Sequence, residues 1–123
     1  MISIKSQIQA ALVGDAALIT ELGGEHISHQ YPDDNMPEKF IVHYELENEP
    51  LVHADEREVA SKITMAIEPY SRGNVTAIAL HIDRIITGIG GMRERAPDDD
   101  SDVPRNGKAM VYSFTVDSDG TIC

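Results

Sequence analysis

A stretch of period two that runs straight into a stretch of period 3.6 constrains this chain more than any other feature. Val59, Ser61, Ile63, Met65 and Ile67 alternate with Ala60, Lys62, Thr64, Ala66 and Glu68. Such alternation predicts a strand with one face buried. Pro69, Tyr70, Ser71, Arg72 and Gly73 read as a turn. From residue 74 the rhythm changes, and Val75, Ile78, Ala79, Ile82, Ile85, Ile86 and Ile89 mark one face of a helix. Asn74 is placed to take an orphan amide of the first turn. Gly88, Gly90 and Gly91 offer the left-handed residue that ends it. Isoleucine loses rotamer freedom in a helix, so burial must hold this one, at roughly 1.5–3 kcal/mol for each large side chain. The expected centre is a long strand, a short turn and a helix lying back on the sheet. In that packing Ile82 meets Ile63 and Met65, while Asp83 lies on the polar face.

The flanking segments extend the pattern. Ile4, Ile8, Ala11 and Leu12 predict a helix over residues 3–13. Asp15 can cap a second over residues 16–22, stopped by Gly23 and Gly24, or the two form one helix kinked at Gly14. Residues 26–31 read as a short strand. Phe40, Val42, Tyr44 and Leu46 alternate with Ile41, His43, Glu45 and Glu47 as another. Asn48, Glu49 and Pro50 read as a turn, and residues 51–56 are ambiguous, with the start of the long strand as one reading. Residues 92–96 suggest a short extended piece, and residues 109–116 the last strand. Residues 97–107 hold Asp98, Asp99, Asp100 and Asp102, with Val103 the one apolar side chain besides the prolines. They predict a mobile acidic loop that makes no buried contact. The expectation is one α+β domain over residues 1–123. Its sheet is mostly antiparallel with about four strands, its helices pack on one face, and the order is α-α-β-β-β-α-β.

Charge and chemistry narrow the function. With 21 acidic and 10 basic residues the formal net charge is -11. A free nucleic-acid-binding domain is expected to be basic. This balance instead suits a surface that nucleic acid passes without sticking. The single cysteine, Cys123, excludes an intrachain disulfide. The first residues lack the layout of a signal peptide, and no apolar run approaches the length of a membrane span. Five histidines occur, but His26 and His29 on one strand would point to opposite faces, and zinc needs three or four converging ligands. Asp98, Asp100 and Asp102 imitate a calcium loop that then fails, with Val103 where glycine is needed and Ala109 where glutamate is needed. Gly88, Gly90 and Gly91 follow a helix, whereas a dinucleotide fingerprint precedes one. No serine sits in a nucleophile elbow. These patterns give no catalytic, cofactor or metal residue.

Several features recur in a fixed order. Leu22-Gly23-Gly24 closes a helical pair, Tyr31-Pro32 follows a strand, and Phe40-Ile41-Val42-His43-Tyr44 forms the next. Lys62-Ile63-Thr64-Met65-Ala66-Ile67-Glu68-Pro69-Tyr70 leads into the Ile-rich helix, then an Asp-rich loop, then Met110-Val111-Tyr112-Ser113-Phe114-Thr115-Val116. In this order the chain resembles the small tail-completion, or tail-terminator, proteins of long-tailed phages and prophages. The resemblance is loosest at residues 47–58 and 92–108. It implies a non-enzymatic virion protein, made in the bacterial host cytoplasm and placed at the head-proximal end of the tail. Its copies form a ring, typically a hexamer, that stops tube growth and joins the tail to the head connector or neck protein. DNA passes through without being specifically bound, and no cofactor or membrane takes part. The loop bearing Asp98, Asp99, Asp100 and Asp102 would face the channel or a neighbouring virion protein. Two other classes stay open: a head-side neck or stopper protein, and a small cytoplasmic enzyme or ligand-binding domain.

Overall fold

The computed structural model describes residues 2–32, 35–54, 57–99 and 103–123. In chain order the elements are α1 (Lys5–Val13), α2 (Ala16–Leu22), β1 (Ile27–Ser28), β2 (Lys39–Ala54), β3 (Arg57–Ser71), α3 (Thr76–Gly88), β4 (Met92–Arg95), β5 (Asp98–Asp99), β6 (Asn106–Lys108) and β7 (Met110–Asp117). The class is α+β, with three helices and one mixed sheet of seven strands among the described residues. The expected count of about four and the order α-α-β-β-β-α-β are corrected accordingly. β5 and β6 fall inside the stretch read as a loop. β4 and β5 are one run broken near Ala96 and Pro97, and β6 and β7 are one run broken at Ala109. The runs pair as a hairpin, β4 with β7 and β5 with β6. All pairings are antiparallel except β1 with β2.

β3 is the central strand. β2 lies along one side of it, and β7 and then β6 lie along the other. Its alternation sends Ile63, Met65 and Ile67 toward the helices, beside Met110, Tyr112, Phe114 and Val116 of β7. Ile82 of α3 is fully buried in that same cluster with Ile78, Ile85 and Ile86, as its helical phase requires. The strand also runs on through Pro69 and Tyr70, which were expected to turn. Proline lacks a backbone donor and is tolerated where no ladder bond is missed. Pro69 faces Ile41 on β2, but on the other side it falls where the partner changes from β7 to β6.

The helices end much as their residues predict. Asp15 caps α2 by accepting from Leu18 N at 3.0 Å, and Gly23 closes it at φ 79°. The two N-terminal helices are therefore separate. Asp15 also holds the Arg84 guanidinium of α3 with both oxygens at 2.9 Å, and that partner and its Leu18 bond keep its carboxyl down at about 2. Asn74 accepts from Thr76 N at 2.8 Å, but the residue just before α3 is Val75, with no side-chain cap. After α3 the left-handed residue is Gly90, at φ 107°. Asp83, expected on the polar face, lies at its margin. It accepts from the buried Tyr112 hydroxyl at 2.8 Å and pairs with Arg93 at 3.3 Å.

Candidate functional site

The face of the sheet away from the helices carries a second, smaller cluster. Phe40 and Val42 on β2 lie opposite Tyr70 and Glu68 on β3. Phe40 stacks on Tyr70 with ring centroids 5.1 Å apart, and Met36, Tyr44 and Val103 pack around them. Within this apolar patch Glu68 is only 5 % exposed. A buried carboxyl group is costly unless donors meet it. Three tyrosines do so. Tyr44 donates to Oε2 at 2.8 Å, Tyr70 donates to Oε1 at 2.9 Å, and Tyr31 donates to Oε1 as well. The Tyr70 hydroxyl also contacts Asp99 of β5. It has a single proton, so it donates to one of the two carboxyls at a time.

Burial, and then the neighbouring hydrogen bonds, push the hydroxyls of Tyr31, Tyr44 and Tyr70 upward from their ordinary value. All three therefore stay protonated as donors at neutral pH. The cluster ties together four parts of the chain: the segment after β1 through Tyr31, β2 through Tyr44, β3 through Glu68 and Tyr70, and β5 through Asp99. Gly107 of β6 makes this approach possible. A Cβ there would stand 2.5 Å from the Tyr70 ring. Arg105 adds a further tie, donating from Nη2 to the carbonyls of Met36 at 3.1 Å and Pro37 at 2.9 Å.

The four aspartates singled out by sequence thus have different settings. Asp98 pairs with Lys108 at 3.1 Å across the β5–β6 hairpin. Asp99 meets buried Tyr70, which corrects the expectation that the segment makes no buried contact. Asp100 and Asp102 lie outside the described residues. An open cleft of about 500 Å³ flanks this hairpin, lined among others by Asn74, Thr76, Asp98, Arg105 and Lys108. Sequence reasoning missed Glu68, Tyr70, Tyr44 and Tyr31 as a group. Glu68 was placed on the polar side of an amphipathic strand, and that side proves to be covered. The one available signal was Tyr44 sharing the alternation of Phe40 and Val42, which marks a second apolar face.

A second polar site lies at the α1–β2 contact. Gln9 donates from Nε2 to Ile27 O at 3.0 Å, so its Oε1 faces His43 Nε2 at 2.7 Å. This pattern assigns the His43 proton to Nε2. Nδ1 is buried and has no hydrogen-bond partner among the described residues. Burial first, then the charges of His29 and Lys5, bring the imidazole down to about 4. The ring of His29 meets it edge-on at 4.3 Å. Among the described residues no three His, Cys, Asp or Glu side chains converge as a metal site.

No family model, no curated protein and no solved structure matches this chain.

Proposed function

We propose that the protein is a structural, non-enzymatic component of a phage or prophage virion. It caps the tail tube and joins tail to head as a ring through which DNA passes. The order of sequence features supports this through their resemblance to tail terminators. One structural observation carries the reading further. The sheet is open at both ends: β1 covers β2 only at Ile41 and Val42, and β4 has β7 as its sole strand partner among the described residues. A subunit with a free strand edge on either side suits a chain of copies. The polar groups on the back face are engaged with one another, which suits a strut better than a reactive centre. In this reading the partners are further copies, six in the typical ring, together with the tail tube protein and the head connector or neck protein. The net charge of -11 favours a lumen that DNA slides past, because like charges repel. Asp98 sits near the end of a hairpin that points away from the β2–β3 tip and faces the channel or a neighbouring virion protein, while Asp99 turns inward to Tyr70.

Electron microscopy of the purified protein mixed with tail tubes tests this. The expected image is a single ring at one end of each tube, with further tube growth stopped. Rings seated on head connectors instead would move the protein to the head side as a neck or stopper. Binding to neither particle would remove the virion reading.

A further inference from the structure

The two open edges of the sheet carry opposite charge patterns. Residues 45–51 of β2 have no strand on their outer side among the described residues. They present Glu45, Glu47 and Glu49, with Leu46 at a bulge and 43 % exposed. At the far end β4 presents Arg93, Glu94 and Arg95 beside Met92, which is 69 % exposed. Arg93 is held by Asp83, whereas Arg95 makes no ion pair among the described residues. A row of unpaired backbone donors and acceptors is a template for another strand.

We propose that β4 of one copy pairs with β2 of the next, so that the sheet continues from copy to copy. Strand direction supports this pairing. β2 is antiparallel to β3, β3 to β7 and β7 to β4, so β2 and β4 run in opposite directions. Copies that keep their helices on the same side and point the same way therefore bring β4 antiparallel to the neighbour's β2. The faces agree as well. Met92 and Arg95 lie opposite Ser113 and Val111, on the back face. Beyond the bulge Glu47 and Glu49 lie opposite Thr64 and Lys62, on the same face. Arg95 thus approaches Glu47, and the reversed strand direction carries Met92 toward the exposed Leu51.

Charge also selects against the symmetric alternatives. β2 on β2 would oppose glutamates to glutamates, and β4 on β4 would oppose arginines to arginines. The contact is therefore head-to-tail, the kind that closes into a ring or runs on as a filament. This inference names the surface by which the ring above would form. It rests on that reading for closure, but not for the contact itself.

The test uses the full chain with Cys123→Ser as background. One batch carries Glu47→Cys and another carries Arg95→Cys. Mild oxidation of the mixture is expected to give mixed dimers several-fold in excess of either like pair. In light scattering, Arg95→Glu alone, or Glu47→Lys with Glu49→Lys, should weaken association about threefold to tenfold, a range set by one or two exposed charge contacts. Combining all three changes should restore it. Mixed dimers no more abundant than like pairs, or a failed restoration, would overturn the edge contact. Mixed dimers without rings on tail tubes would leave the contact standing and remove the tail reading. Rings on tubes without mixed dimers would do the reverse.

Discussion

A carboxyl group as buried as that of Glu68 needs its lone pairs met, and its tyrosine neighbours meet them. Glu68→Ala would strand the Tyr44 hydroxyl and take an acceptor from Tyr31 and from Tyr70, which keeps Asp99. The expected loss is about 2–3 kcal/mol, the cost of unmet buried polar groups. Glu68→Gln keeps an acceptor oxygen and should lose only about 1 kcal/mol. Denaturant titration of the two variants checks this, and equal losses would mean that the hydroxyls find other partners. His43 sets a pH dependence. Its folded value, about 4, lies below the ordinary 6.5, so the unfolded chain takes up the proton first. Its contribution is fully present above pH 6.5, and stability drains away as pH falls from there toward 4. The slope is at most about 1.4 kcal/mol per pH unit, and the total is about 3 kcal/mol. In His43→Gln the stability curve should flatten between pH 6.5 and 4. A slope as steep as that of the wild type would place the acid sensitivity elsewhere.

At the scale of elements, α3 was legible because seven apolar positions repeat with one helical phase, and burial follows that phase. The partner of Asp83 was missed because periodicity reports only which stripe faces the core. It does not report which polar side chain reaches a tyrosine at the stripe's margin. Tyr112 comes from β7, 29 residues later in the chain, and only the tertiary packing brings the two together. Burial, with the Asp83 bond second, raises the Tyr112 hydroxyl from its ordinary value, so it remains a donor. The Asp83–Tyr112 bond should therefore couple α3 to the sheet. A double-mutant cycle with Asp83→Ala and Tyr112→Phe is expected to give a coupling of about 1 kcal/mol, and additive losses would show that the bond carries no stability. β4 was legible only as a short extended piece, residues 92–96, and its place in the sheet was not. All of β4 is exposed, so no alternation marks it, and its strand character comes from pairing with β7. Pro69 misled in the opposite sense. A local rule reads proline as a turn, yet the sheet leaves a gap in the ladder at that residue.

For the whole molecule, sequence conveyed the α+β class, because burial patterns are written along the chain. Open edges leave no such trace. Glu45 and Glu47 read as one face of a strand and Glu49 as part of a turn, and only the topology shows that all three lie along an unpaired strand at one end of a sheet whose other end carries Arg93 and Arg95. These charges make association depend on salt in a definite way. Two copies of net charge -11 repel over the whole of their surfaces, at separations of tens of ångströms. The proposed edge contact brings opposite charges within a few ångströms. Salt at about 0.15 M shortens the Debye length to about 8 Å. That removes most of the long-range repulsion while leaving contact pairs largely effective. The protein should therefore be monomeric when dilute at low ionic strength. Its mean mass should rise with concentration and with salt up to the physiological range, then fall as salt near 1 M screens the contacts as well. Static light scattering across a salt series checks this. A mass that only falls as salt is added would mean that attraction, not net repulsion, governs the approach of two copies. A tight oligomer at nanomolar concentration in low salt would show that the interface overrides the net charge altogether.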